Sequence, residues 1–216
     1  MKNKNILITS GPTRGIIDDI RYITNSSSGE LGVAIANESL FRSANVCFIY
    51  GKGSLLPQIQ TKRLQLIEVR TVNDLISVLK KELKTVNFDV IIHSMAVLDY
   101  EPKRLYKGKI SSAQNELRIT LTKTPKVVNM FKEISPQSFL VSFKLESNIS
   151  KRELTKRAYN SLLRTKSDLV VANDFKNVLS DSHKAFIVDS SGIIKAEFNS
   201  KKQIAKGLFD IIEYQI

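Results

Sequence analysis

The chain has 216 residues, with 33 Lys and Arg against 21 Asp and Glu and a formal net charge of +12. That length suits one α/β domain able to bury roughly 70% of its unfolded surface, so no staple is needed to hold a core. A single cysteine (Cys47) excludes an internal disulfide and two histidines (His93, His183) exclude a His/Cys metal cage, while the lack of a spanning apolar stretch or signal-type h-region points to a reduced, cytoplasmic protein.

Apolar runs and helical patterns alternate along the chain. Ile6-Leu7-Ile8-Thr9 predicts a strand over Asn5 to Ser10, stopped by the turn Ser10-Gly11-Pro12-Thr13. A long polar loop then runs through Arg21-Tyr22-Ile23-Thr24-Asn25 to Gly29-Glu30-Leu31-Gly32, where a helix begins and continues to about Ser43. Ala44 to Tyr50 is a second strand holding Cys47 among apolar neighbours, which marks a buried thiol rather than a nucleophile. Leu64 to Val69 is a third strand, and Thr71-Val72-Asn73-Asp74 opens a helix to about Lys84. Phe88 to Ser94 is apolar on both faces, as a buried parallel strand is.

Residues 101–118 change character: Glu101 to Lys109 is polar, basic and without period. Leu117 to Thr122 alternates like a half-exposed strand. Val127 to Phe131 reads as a short helix, Phe139 to Phe143 as a strand, and Lys151 to Lys166 as a long basic helix. Asp168 to Ala172 is a buried strand ending at Asn173-Asp174. Ala185 to Asp189 and Ile193 to Phe198 bracket the hairpin turn Ser190-Ser191-Gly192, before a last helix from Lys201 to about Tyr214. The pattern predicts a Rossmann-like, open, mostly parallel α/β sheet with helices on both faces, plus a small hairpin or flap region, in one domain over residues 1–216.

In such sheets ligands sit beyond the carboxyl ends of the strands. Four polar clusters fall there: Ser10-Gly11, the run from His93 to Asp99, Phe143 to Glu146, and Asn173-Asp174. The loop before the first helix combines a helix N-terminus, glycines permitting close backbone approach, and Arg21 and Asn25 as anion-directed donors. Gly29-Glu30-Leu31-Gly32 is neither a dinucleotide fingerprint nor a P-loop, and by itself equally describes an ordinary N-cap with Ser27 or Ser28 capping.

Ser10-Gly11-Pro12-Thr13-Arg14, Asp18, Arg21-Tyr22-Ile23-Thr24-Asn25, Ser27-Ser28-Gly29 and Gly32 resemble the opening signature of the phosphopantothenate–cysteine ligase family. The resemblance continues in order through Ala96-Val97-Leu98-Asp99-Tyr100, Lys109-Ile110, Lys123-Thr124-Pro125, Val171-Ala172-Asn173-Asp174 and Ser180-Asp181, and covers nearly the whole chain.

The resemblance implies ligation of 4′-phosphopantothenate to L-cysteine in coenzyme A synthesis, with CTP as co-substrate, Mg²⁺ on the phosphates, and an acyl-cytidylate intermediate. It implies that Asn25 orients the mixed anhydride, that Lys109 meets the phosphate charge, and that Arg21 reaches a neighbour's substrate in a homodimer. Gly11, Ser27, Gly29, Gly32, Asp99, Lys126, Phe143 and Asn173 would bind nucleotide. Arg21, Asn25, Met95, Ala96 and Asp99 would bind substrate. No protein metal site, nucleic-acid partner or membrane contact is implied, and a chain beginning at this signature reads as a stand-alone form without a flavin site.

The chain departs from the family pattern in several places. Ser111 and Ser112 stand where lysines follow the loop lysine, and Ser161 and Thr165 stand where lysines are common on the basic helix. Met95-Ala96 replaces Ala-Ala, and His183 replaces an asparagine. Two other function classes fit parts of the sequence. A nicotinamide oxidoreductase would need an acidic residue ending the second strand, where Tyr50-Gly51-Lys52 offers none. A nucleic-acid-binding module would account for the charge, but the basic residues are mixed with acidic ones and no recognition motif is present.

Overall fold

Strands apolar on both faces need cover on both faces, and that requirement decides the architecture. A computed structural model describes residues 1–177 and 183–216. In chain order the elements are β1 Asn5–Ser10, β2 Arg14–Ile16, β3 Tyr22–Thr24, α1 Glu30–Phe41, β4 Asn45–Gly51, β5 Leu64–Val69, α2 Val72–Thr85, β6 Val90–His93, β7 Tyr100–Pro102, β8 Leu121–Lys123, α3 Val127–Ile134, β9 Phe139–Glu146, α4 Lys151–Thr165, β10 Leu169–Asp174, β11 Ala185–Asp189, β12 Ile194–Phe198 and α5 Lys201–Gln215.

Eight of the described strands form one sheet, ordered β12-β11-β10-β9-β6-β1-β4-β5. The six from β10 to β5 in that order are parallel, and β11 and β12 add an antiparallel edge. Period-2 alternation sends Ile6, Ile8 and Ile92 to the face covered by α1 and α5, where Phe48 and Phe209 are fully buried. Leu7, Ile91 and Leu140 face α2 and α3. Val170 and Ala172 pack under α4 on that same side, since Val170 lies level with Ser142, two residues beyond Leu140. Cys47 is buried here, and burial, with the Glu82 carboxylate nearby, pushes its thiol up to about 12. No described helix is long and apolar enough to cross a membrane.

The caps follow the local sequence with one exception. Thr71 and Asp74 form a reciprocal capping box on α2, and Ser150 and Ser200 cap α4 and α5. Helix α1 instead starts from Gly29 at φ +81°, without a side-chain cap. Neither Ser27 nor Ser28 takes the cap that the sequence offered; Ser28 Oγ accepts from Glu30 N at 3.3 Å, only two residues on.

Two small ribbons lie outside the main sheet. β2 pairs with β3 inside the stretch read as a polar loop. β7 pairs with β8, so the strand expected over 117–122 contracts to Leu121–Lys123. Leu117 and Leu121 are 42% and 46% exposed; with no layer to bury against, their alternation organises only the part that finds a partner strand. The Ser180-Asp181 match lies outside the described residues.

The chain runs from β1 outward to β4 and β5, then returns to β6 and proceeds the other way through β9 and β10. β1 and β6 are therefore the switch point, where neighbouring loops diverge and leave a crevice. Gly32 sets how closely α1 meets it. A Cβ there would lie 2.2 Å from Ser10 Oγ and 2.5 Å from Ser10 Cβ. Gly32→Ala should therefore cost about 1–3 kcal/mol, the usual range for overpacking. Chemical denaturation reads it out, and an unchanged midpoint would mean that the helix slides freely over β1.

Candidate active site

The crevice is organised by a strip of chain. Ser94 N and Ser94 Oγ donate to Thr9 O at 3.1 and 2.8 Å, and Ala96 N donates to Gly11 O at 2.8 Å. Pro12 and Ala96 form a parallel bridge, and Leu98 N donates to Thr13 Oγ1 at 2.9 Å. The loop after β6 is thus zipped to the loop after β1. The strip is not a regular strand, since Val97 N turns back to Met95 O at 3.1 Å around Ala96. His93, Met95, Val97 and Asp99 line a cleft, while Ser94 and Ala96 turn toward the loop before α1.

On that second side the sequence-derived residues converge. Asn25 Nδ2 donates to Ala96 O and Val97 O at 3.2 and 3.3 Å, which leaves its side-chain oxygen outward. Ser10 Oγ donates to Gly29 O at 3.0 Å, and Leu55 N donates to Ser28 O at 3.0 Å. Gly11 and Gly29 both have positive φ, and a Cβ on Gly11 would fall 1.8 Å from Ser54 Oγ. The glycines here serve a tight chain crossing. The space over Gly32 is filled by Ser10, so it admits a strand rather than a ligand.

Arg21 is committed to its own chain. Its Nε lies 3.1 Å from Asp18 Oδ2, and its guanidinium donates to Ile110 O. Asp18 is fully buried and accepts from Ile110 N at 3.1 Å, Ile20 N at 3.0 Å and Arg21 N at 2.7 Å. Burial alone would raise its carboxyl; the three backbone donors and the guanidinium hold it below the usual carboxylate range. Together Asp18 and Arg21 grip both polar groups of the Ile110 backbone. A second tether, Tyr106 N to Ile17 O at 2.9 Å, leaves Lys107, Gly108 and Lys109 between the two. Lys109 is exposed.

The cleft itself encloses about 480 Å³ between α3 and α4, over β6 and β9. Its walls are Met95, Val97, Pro125, Val127, Val128 and Phe143. Its floor is His93 and Ser142, level with each other on adjacent strands, with Ser161 and Thr165 beside them. Lys123, Lys126, Lys144 and Arg164 line it, against Asp99 as the one carboxylate among the described lining residues. Asp99 pairs with Lys126 at the rim. Lys126 is the N-cap of α3 and provides no side-chain cap; Asn129 N turns back to Lys126 O at 3.1 Å. This volume, these apolar walls and this positive rim suit an anionic, partly aromatic ligand.

The structure brings Asp99, Lys126, Phe143 and Met95 into one cleft, and ties Asn25, Gly29 and Ala96 to the other side of its wall. It does not bring Asn173 into the cleft; its Nδ2 donates to Lys184 O at 3.1 Å and fixes the start of β11. Lys109 is also not a lining residue. Ser142 lay in none of the clusters or motifs read from the sequence, while His93, Lys123 and Lys144 lay in them without being assigned a role. The alternation of His93, Met95, Val97 and Asp99 was the available signal. Arg164 shares a helix face with Ser161 and Thr165, positions i, i+3 and i+4, and lines the cleft; Lys166, past the helix end, does not. A larger depression of about 550 Å³ lies at the opposite ends of the strands. Its charges are mutually paired, Lys4 with Asp89 at 2.9 Å and Lys132 with Asp168 at 2.8 Å, so it closes the sheet rather than binding a ligand.

Residues 1–215 match the family described as the DNA/pantothenate metabolism flavoprotein C-terminal domain. The coenzyme A biosynthesis bifunctional protein CoaBC of Thermococcus kodakarensis is 39% identical over 213 residues, covering 99% of this chain and 52% of that protein. The chain spans about half the length of the curated relatives it matches. Among solved structures, the DNA/pantothenate metabolism flavoprotein from Streptococcus pneumoniae superposes with a TM-score of 0.90 at 31% identity, covering 99% of this chain and 100% of that one. The C-terminal domain of a CoaBC protein gives 0.79 at 26% identity, covering 100% and 96%. Sequence motifs, sheet order and these matches agree, and the chain belongs to the DNA/pantothenate metabolism flavoprotein C-terminal domain family.

Proposed function

We propose that residues 1–216 form a single phosphopantothenate–cysteine ligase domain that works in the cytoplasm in coenzyme A synthesis. The observation that carries this reading is the strip from His93 to Asp99. One of its sides lines a cleft suited to a nucleotide, and the other holds Asn25 and the glycine loop. A reaction joining a nucleotide to a second anionic substrate needs two such sites sharing one wall.

In this reading the carboxylate of 4′-phosphopantothenate attacks the α-phosphate of CTP. Pyrophosphate leaves and an acyl-cytidylate forms. The amine of cysteine then attacks the acyl carbon, and 4′-phosphopantothenoylcysteine and CMP are released. Phe143 and the α3 entrance hold the nucleotide with Asp99 and Lys126 at the rim, while Arg164 supplies cationic charge on the helix face where Ser161 and Thr165 supply none. The backbone at Ser27, Gly29 and Gly11 borders the phosphates, and Met95 and Ala96 border the acyl group. Asn25, oriented by two carbonyls, presents its amide to the mixed anhydride. In this reading a Mg²⁺ would be carried by the nucleotide's own phosphates. Such an ion neutralises phosphate charge when bound; Asp99 is the carboxylate at hand for its water shell.

The Asp18–Arg21 grip on Ile110 supports a hinge role for Arg21 within its own chain. A homodimer, in which Arg21 would also serve a neighbour, is supported by exposed apolar groups on adjoining segments: Ile20 is 61% and Leu105 65% exposed. Multiple-turnover pyrophosphate release should require both phosphopantothenate and cysteine, and kcat/KM should favour CTP over ATP. Release without either substrate would sink the ligase reading, and equal or higher ATP efficiency the donor assignment.

Asn25→Asp should lower turnover roughly 100-fold, the scale of disrupting one preorganised polar group at the reacting centre, because it removes the Nδ2 donor that holds the side chain on Ala96 O and Val97 O and adds a carboxylate beside an acyl phosphate. Near-normal turnover would remove Asn25 from the chemistry. Lys109→Gln should slow single-turnover pyrophosphate release while leaving the phosphopantothenate Kd nearly unchanged, as expected for a charge contact made mainly in the transition state. Wild-type release from this variant would make Lys109 an ordinary solvated charge.

A further inference from the structure

His93 is more than nine-tenths buried at the floor of the cleft. Its Nδ1 lies 2.7 Å from Thr9 Oγ1, and its ring packs against Phe131 with centroids 4.9 Å apart. Nε2 makes no hydrogen bond among the described residues, nor is it sealed from solvent as an orphaned buried atom. One ring nitrogen is therefore spoken for by the fold, and the other opens on the cleft.

Ser142 stands level with His93 on the neighbouring strand, one strand spacing of about 4.8 Å away. Its Oγ accepts from Ser167 Oγ at 2.8 Å, and Ser167 Oγ in turn lies 2.7 Å from Thr165 Oγ1. That buried chain of hydroxyls, continued by Thr165 Oγ1 donating to Ser161 O at 2.9 Å, anchors the Ser142 hydroxyl beside His93 at the edge of the cleft. The floor thus offers two adjacent, neutral, pre-oriented hydrogen-bonding groups.

We propose that His93 and Ser142 read the polar edge of the donor nucleotide's base. The inference rests on the cleft being the nucleotide site, and it assigns the floor to the base and the rim to the phosphates. A phosphate placed on the floor would be stripped of water against neutral partners, at a cost of several kcal/mol. A flat heteroaromatic ring against the Val127–Val128 wall loses little, and its edge finds the two groups below it. The cations Lys123, Lys126 and Arg164 are exposed, where a triphosphate can keep part of its hydration. Burial pushes the imidazole down to about 4, so it meets the base uncharged at neutral pH and gives no general attraction to anions.

Calorimetric titration of the full chain with CTP, UTP and tripolyphosphate tests this, tripolyphosphate being the ligand without a base. The wild type should bind CTP more tightly than tripolyphosphate. His93→Ala should weaken CTP about tenfold, the loss expected for a neutral hydrogen bond in a dry site, narrow the gap between CTP and UTP, and leave tripolyphosphate within about twofold. Ser142→Ala should give the same pattern at smaller amplitude, and it serves alone if His93→Ala melts without a cooperative transition. Equal weakening of CTP and tripolyphosphate, or no weakening of CTP in either variant, would overturn the base-reading role while the nucleotide site stands. A wild type that binds neither CTP nor tripolyphosphate would overturn the nucleotide reading itself, and this inference with it.

Discussion

The site depends on the zipper between the chain leaving β1 and the chain leaving β6. Five backbone and hydroxyl contacts between Thr9–Thr13 and Ser94–Leu98 keep two loops together just where a switch point would let them part. Their effect is to continue the sheet, as a wall, beyond its last regular strand residues. The turn of Val97 N back to Met95 O shapes the segment so that it furnishes the inner wall of the cleft and the backing of the glycine loop. Thr124 extends the arrangement by donating to Leu98 O and to Asp99 O, which anchors the entrance of α3 to the same wall.

Charge is distributed to match. Many surface cations lie in ion pairs, such as Arg157 with Glu146 and Glu153, and Lys184 and Lys151 with Glu197, although the chain as a whole is +12. Exposed pairs of this kind contribute little to stability. At the cleft the pairing is incomplete: Lys126 pairs with Asp99 and Lys144 with Glu146, whereas Lys123 and Arg164 form no ion pair among the described residues. The field there is directed at an anion, whereas the neutral floor of His93, Ser142, Ser161 and Thr165 is directed at something uncharged. A cleft with both characters suits a ligand with both, and a nucleotide is such a ligand.

The loop bearing Lys109 shows a different use of burial. Asp18 is a carboxylate without solvent exposure, yet it stays ionised because backbone donors and Arg21 replace its lost water. Both members of that pair hold one backbone unit, Ile110, while Tyr106 N donates to Ile17 O and Asp19 N to Gly108 O at 3.5 Å, so the loop is held at several backbone points and the Lys109 side chain stays exposed.

The order and type of nearly every sheet strand and helix were legible in the sequence, because each is long, periodic and punctuated by Gly, Pro or a capping residue such as Thr71. The glycine loop, Asn25, Asp99 and Lys126 were legible as well, through motifs fixed in chain order. The short ribbons β2–β3 and β7–β8 were not, since three-residue strands carry too little pattern to announce a partner. Nor could the sequence show that Gly32 admits Ser10, that Arg21 turns back to Ile110, or that Asn173 holds β11 instead of the cleft. These are contacts between residues far apart in the chain, and local preference has no information about them. The same is true of the cleft floor: His93 and Ser142 are 49 positions apart and become neighbours only through the β6–β9 register. Sequence by itself determined which elements form and which chemistry the loops carry, because both are written in local pattern; the tertiary structure decided which side chains face one another, because that is set by strand order and register, which only the packed sheet possesses.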